Sequence, residues 1–273
     1  MIPVSFDYVR AGSLDEALAA LAEHGDEAKI LAGGHSLLPL MKLRLATPSL
    51  LVDIGALSEL SYVRDRGDHI AIGAGTRHHD IQHDATIVAS APLLAAVAGR
   101  VGDPQVRHRG TIGGSIAHAD PASDLPAAVL ALGGSLVARG PAGERVIEAT
   151  EFFRGFLETA LSPEEILIEL RVPKGSQGHS YQKFVRRSQD WAIVGAAAVR
   201  VDGRVAVSLV NVARTPVRAS AVEDALASGA SATEAADLAA EGLEPSGDNN
   251  ATPEFRRHLA RVLTRRALEE AGV

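Results

Sequence analysis

Ala32-Gly33-Gly34-His35-Ser36, read together with Thr111-Ile112-Gly113-Gly114-Ser115, decides how this chain folds. Each stretch sets a glycine pair among small and hydroxyl-bearing residues. Without Cβ atoms, successive N–H groups can turn toward one point and let the backbone approach an oxygen-rich group closely. The flanking Ser36, Thr111 and Ser115 add hydroxyl donors. A single Gly-Gly pair most often marks a tight turn. Two matched loops in one chain point instead to a cradle for an anion such as a diphosphate.

Working outward, a short apolar strand, Lys29-Ile30-Leu31, runs into the first loop, and Leu37 to Leu45 reads as a short amphipathic segment ending before Pro48. Upstream, Ser13 and Glu16 have capping-box spacing ahead of apolar residues at helical intervals, predicting a helix over 14–24 that Gly25 stops. Downstream come a buried strand at 50–54, a hairpin of 62–65 with 69–73 around Arg66-Gly67-Asp68, and helical pieces over 78–101. A polar, glycine-rich stretch, 102–115, precedes a helix near 124–132, strands near 134–139 and 144–148, and a strand at 166–172. The character then changes. A strand at 180–187 is followed by 192–201 and 204–213 flanking Asp202-Gly203, a hairpin signal. Three antiparallel strands are therefore expected before a helical C-terminal third, in which Ser231 with Glu234 and Thr252-Pro253 mark helix starts. Residues 241–251 read as an exposed loop.

The chain has 273 residues, 46% hydrophobic and 22% charged, enough for buried cores and about two domains. A net charge of −7 argues against a nucleic-acid partner, so any phosphate must be held locally. The chain contains no cysteine, which excludes disulfides, thiolate zinc and Cys-ligated iron–sulfur clusters in this chain. There is no apolar run of the ~18–20 residues needed to cross a bilayer, and no signal-peptide pattern at the start, so a cytoplasmic protein without a membrane-spanning segment is expected. His78, His79, His83, His108 and His118 lack metal-ligand spacing and are read as scattered surface histidines, with no metal. Asp124 can either cap the helix that follows or accept hydrogen bonds from sugar-like hydroxyls.

AGGHSLLPLMKLR at 32–44 and TIGGSIAHADPASDLPA at 111–127, with EEILIELRVP at 164–173 and YQKFVRRSQDWAIVGAAA at 181–198, resemble the medium, FAD-binding subunit of the xanthine dehydrogenase and aerobic carbon monoxide dehydrogenase family. The resemblance covers nearly the whole chain. It implies an α+β fold: a vanillyl-alcohol-oxidase (PCMH)-type FAD-binding domain over 1–176, made of two α/β subdomains (about 1–56 and 57–176), then a smaller domain of a three-stranded antiparallel sheet plus helices over 177–273. It implies that Ala32, Gly33, Gly34, His35 and Ser36, with Lys29 and Leu37 at their edges, and Thr111, Ile112, Gly113, Gly114 and Ser115 wrap the FAD diphosphate and ribityl chain. Asp124 would bind the polyol or adenosine side, Lys183 would lie near the isoalloxazine, and Leu167 would touch its ring. Trp191 stands where the family often carries an aromatic near the flavin, though a sole tryptophan is as often a core residue. Ser115 departs from the family's usual asparagine.

The resemblance further implies noncovalent FAD, with His35 lining the loop rather than bonded to the flavin. A large subunit would carry the molybdenum cofactor and a small subunit the [2Fe–2S] clusters, assembled as a dimer of heterotrimers. Electrons would leave through this chain's FAD, so no residue here is a substrate-turnover catalyst. The competing expectations are a stand-alone FAD oxidoreductase of the same fold, a medium subunit of an N-heterocycle or aldehyde dehydrogenase, and a flavin-free scaffold.

Overall fold

Ser13 begins the first helix as its sequence requires: its hydroxyl accepts the Glu16 N–H, and Gly25, at φ 53°, closes the far end. In the computed structural model, which describes residues 1–273, this helix belongs to a small first lobe. The lobe runs β1 (Asp7–Arg10), α1 (Leu14–His24), β2 (Ala28–Leu31), α2 (Leu37–Lys42) and β3 (Leu50–Asp53). Its sheet is parallel, in the order β1-β3-β2, and Leu14, Ala17 and Leu21 of α1 pack with Leu50 and Val52 in one core. β1 was not expected. All four of its residues are exposed, so it carries no apolar alternation to read.

The second lobe begins with β4 (Val63–Asp65) and β5 (His69–Gly73), followed by α3 (His78–His83), α4 (Ala85–Ser90), α5 (Pro92–Ala98), α6 (Pro104–Arg107), α7 (Ile112–His118) and α8 (Asp124–Ala131). It continues through β6 (Ser135–Gly140), β7 (Gly143–Glu148), α9 (Ala149–Phe152), β8 (Phe153–Gly155), β9 (Glu158–Thr159) and β10 (Ile166–Pro173). Its main sheet is antiparallel, in the order β4-β5-β10-β6-β7. The stretch 102–115, read as polar and glycine-rich with no element assigned, contains α6 and the first turn of α7. Helix α7 starts inside the second glycine loop, with the Thr111 hydroxyl as its cap. Two glycines in its first turn hid it, because glycine disfavours helix.

The third lobe holds β11 (Gly178–Phe184), β12 (Val194–Val201), β13 (Arg204–Val210), β14 (Val217–Arg218), α10 (Ser220–Ala227), α11 (Ala232–Ala236) and α12 (Pro253–Glu270). The three expected strands are present. A fourth, β14, pairs with β13 at Leu209↔Val217, and its two residues are too few to leave a pattern in the sequence. This sheet is covered on both faces, so β12 reads Val-Gly-Ala-Ala-Ala-Val with no polar alternation. Ala197 and Val199 join the second lobe's core, whereas Ala196 and Ala198 face the core shared with α12. Helix α8, buried at every residue, lies between helices α5 and α7 of the second lobe and the sheet of the third. No helix is long and apolar enough to cross a membrane.

Candidate cofactor cleft

The two glycine loops line one cleft of about 670 Å³, together with residues of β2, α8, β10, the end of β11 and the 189–191 segment. The loops touch through glycine: a Cβ at Gly33 would lie 2.5 Å from the Arg109 carbonyl oxygen and 2.9 Å from Gly110 Cα. Arg77 fixes this junction by donating to the carbonyls of Arg109 and Gly55, and Arg77 also bridges to Thr111.

Despite similar sequences, the loops present different chemistry. In the first, the backbone N–H groups of Ala32, Gly33, Gly34, His35, Ser36 and Leu37 have no partner within the chain. Gly34 sits at φ 77°, the left-handed conformation that turns such a run of donors. In the second, the N–H groups are engaged: Ile112 donates to Thr76 O, Gly113 to Ala74 O, Gly114 to Thr111 Oγ1 and Ser115 to Thr111 O. That loop offers hydroxyls and a wall without side chains. A Cβ at Gly114 would meet only Thr111 Oγ1, at 2.8 Å, and Ala32 Cβ across the cleft, at 4.0 Å.

Every expected site residue lines the cleft except Ile112, which is fully buried in the second lobe's core. Lys29, the exposed residue of β2, and Leu37 line the cleft with the first loop. Leu167 lines the cleft beside Ile166, where a bulge shifts the pairing of β10 with β6. Asp124 is neither a cap nor a free acceptor. Ser123 holds the N-cap position and shares a 2.8 Å hydrogen bond with Ser115, linking α8 to the second loop. Asp124 is the next residue, and its carboxylate accepts from Tyr181 Oη at 2.5 Å and Lys183 Nζ at 2.8 Å. Burial raises the Asp124 pKa, opposed chiefly by the Lys183 charge. Lys183 also donates to the Arg100 carbonyl at 3.2 Å.

A family model for the FAD binding domain in molybdopterin dehydrogenase matches residues 4–175, and one for the CO dehydrogenase flavoprotein C-terminal domain matches residues 179–271. The chain belongs to this molybdopterin dehydrogenase flavoprotein family. It is 40% identical to the carbon monoxide dehydrogenase medium chain of Hydrogenophaga pseudoflava, over 99% of this chain and 98% of that one. It is 38% identical to the caffeine dehydrogenase subunit beta of a Pseudomonas species, covering 100% of this chain and 96% of that one. Among solved structures it is similar to the carbon monoxide dehydrogenase of Hydrogenophaga pseudoflava, with a TM-score of 0.96 and 41% identity over 100% of this chain and 99% of that chain.

Within the family fold, several cleft residues escaped the sequence reading. Tyr181 lies behind the cleft and bonds to Asp124, and a signal for it was available: in a strand, residues 181 and 183 share a face. Both lie opposite small residues of β12, Tyr181↔Ala197 and Lys183↔Gly195, which leave room for the large side chains. The hairpin residues Leu157 and Thr159, with Leu161, close one wall of the cleft. Trp191 is 55% exposed and lines the cleft, so it is not a core residue. His83 and His108 are exposed, as expected of surface histidines, whereas His79 and His118 are half-buried and His78 is buried. His78 is buried against Gly110 and lines the cleft, and His79 stacks on His108 and lies against His83 with ring centroids 3.9 and 4.4 Å away. No group of three or more His, Cys, Asp or Glu residues is arranged to hold a metal ion.

Proposed function

We propose that this chain binds FAD noncovalently in the cleft and passes electrons from partner iron–sulfur clusters to an external acceptor, as the flavoprotein subunit of a molybdenum-containing dehydrogenase. The observation that carries this reading is the run of unpaired backbone N–H groups from Ala32 to Leu37, facing the glycine-lined wall of the second loop across one cleft. The fit is chemical as well as spatial. Six adjacent donors suit a diphosphate in a chain of net charge −7, and a cleft of 670 Å³ is within the ~300–1,000 Å³ usual for cofactor sites.

On this reading the first loop, residues 32–37, holds the diphosphate, while the Thr111 and Ser115 hydroxyls serve the ribityl and sugar oxygens and Asp124 acts through the Lys183 it binds. Leu167 and Trp191 supply apolar cover for the ring system, and Lys183 supplies the nearest cation. His35 lines the loop without covalent attachment. Bound there, FAD supplies the ability to accept single electrons and deliver a pair. The domain division that supports this arrangement is 1–176 for the FAD-binding domain, with subdomains meeting near residue 56, and 177–273 for the C-terminal domain. The molybdenum cofactor and the [2Fe–2S] clusters lie on a large and a small partner subunit, in line with the absence of cysteine here. The substrate is chosen on the large subunit, since relatives of nearly equal identity carry the names of carbon monoxide and caffeine dehydrogenases.

The test is acid precipitation of the purified complex. FAD should appear in the supernatant at one per chain; yellow colour kept in the pellet would contradict noncovalent binding, and a colourless complex would overturn the reading.

A further inference from the structure

Tyr181 does not line the cleft, yet its hydroxyl is one of only two groups bonded to the Asp124 carboxylate. The other is Lys183, and the three side chains form a buried chain running from beneath the cleft to its floor. The Lys183 and Asp124 side chains are 3% and 7% exposed. Each carboxylate oxygen of Asp124 has a single donor, Tyr181 on Oδ1 and Lys183 on Oδ2. An ammonium has three N–H donors. Lys183 uses one on Asp124 and one on the Arg100 carbonyl, which leaves one for whatever occupies the cleft. The fold has made room for this arrangement: a Cβ at Gly195 would lie 2.7 Å from Tyr181 Oη.

We propose that Tyr181 is a positioning residue. By fixing Asp124 in its charge-compensating place against Lys183, it sets the charge that the cleft floor presents to the flavin, and so the flavin's reduction potential. The inference rests on the proposed FAD binding and deepens it. A buried carboxylate that loses one of its two hydrogen bonds is less able to stay ionised, and a nearby ammonium then acts with less compensation. Added positive charge near a flavin favours its reduced, more anionic form.

The experiment measures the flavin midpoint potential and visible spectrum in the purified complex carrying Tyr181→Phe. The expected result is retention of FAD with the potential shifted to more positive values and an altered flavin spectrum, and no further shift when Tyr181→Phe is added to Asp124→Asn. Should Tyr181→Phe fail to assemble, 3-fluorotyrosine at position 181 decides the matter: a stronger donor in the same place should move the potential in the negative direction. An unchanged potential in a folded, FAD-loaded Tyr181→Phe or 3-fluorotyrosine complex would overturn the positioning role. Absence of flavin from the wild-type complex would instead overturn the FAD reading itself.

Discussion

Gly34, at φ 77°, and Gly114, at the wall of the cleft, are glycine for different reasons, and their replacement should fail differently. Gly34→Val forces a β-branched residue into the left-handed region, at a cost of about 1–3 kcal/mol, and disorganises the run of free N–H groups. Gly114→Val leaves that run intact and fills space between the loops. Both variants should lose most of their FAD, with the larger fall in melting temperature for Gly34→Val; full flavin occupancy in a folded Gly114→Val protein would contradict the cleft assignment. His78 yields a second expectation. Burial, with Arg77, His35 and Arg107 adding to it, pushes this imidazole down to about 4 from 6.5. The unfolded chain then binds the proton more readily than the folded one. Stability from this residue is complete above pH 6.5 and is lost as pH falls toward 4, by about 3 kcal/mol. Denaturant unfolding of flavin-free protein should show this slope, and His78→Gln should flatten it. At this scale the sequence pointed to the glycine loops that meet at the cleft, but not to the hairpin that walls it or to which N–H groups are free. That depends on Ala74 and Thr76 lying within reach of the second loop, a contact no local pattern records.

Helices and strands were legible mainly where a cap preceded a complete apolar period. Thr252 caps α12 through the Phe255 N–H, and Ser231 with Glu234 forms the expected capping box at α11. β1 and α7 were missed because exposure and glycine respectively erase the pattern, and α6, α9, β8, β9 and β14 because two to four residues are too few to carry one. What joins the elements is also not written locally. Arg77, at the start of α3, ties Gly55 of the first lobe to Arg109 before the second loop. Arg77→Ala should therefore weaken FAD binding roughly tenfold, the equivalent of about 1.4 kcal/mol, without being a cofactor contact; calorimetric titration of FAD into flavin-free protein measures this, and unchanged affinity would show that the loops hold their register without it. In the third lobe, the buried Arg256 of α12 donates to the Ile193 and Asn211 carbonyls and pairs with Asp248. Arg256→Met removes these donors from buried acceptors and should cost about 2–4 kcal/mol in unfolding experiments.

For the whole molecule, the proposed division into a flavin-holding cleft here and metal centres elsewhere is in line with the make-up of this chain. It has glycine loops with free donors, but no cysteine and no cluster able to hold a metal. Lys183 and Asp124, the buried cation and carboxylate of the cleft, are bonded to each other. The sequence pointed to this division through the family resemblance, whereas the cleft between lobes required the fold. The most direct test is purification through a tag on this chain from cells making the full complex, with flavin, molybdenum and iron measured in the same fractions. The account predicts one FAD per chain, with molybdenum and iron co-eluting on separate partner subunits. Purification of this chain alone, carrying FAD and oxidising a substrate with no partner present, would contradict it.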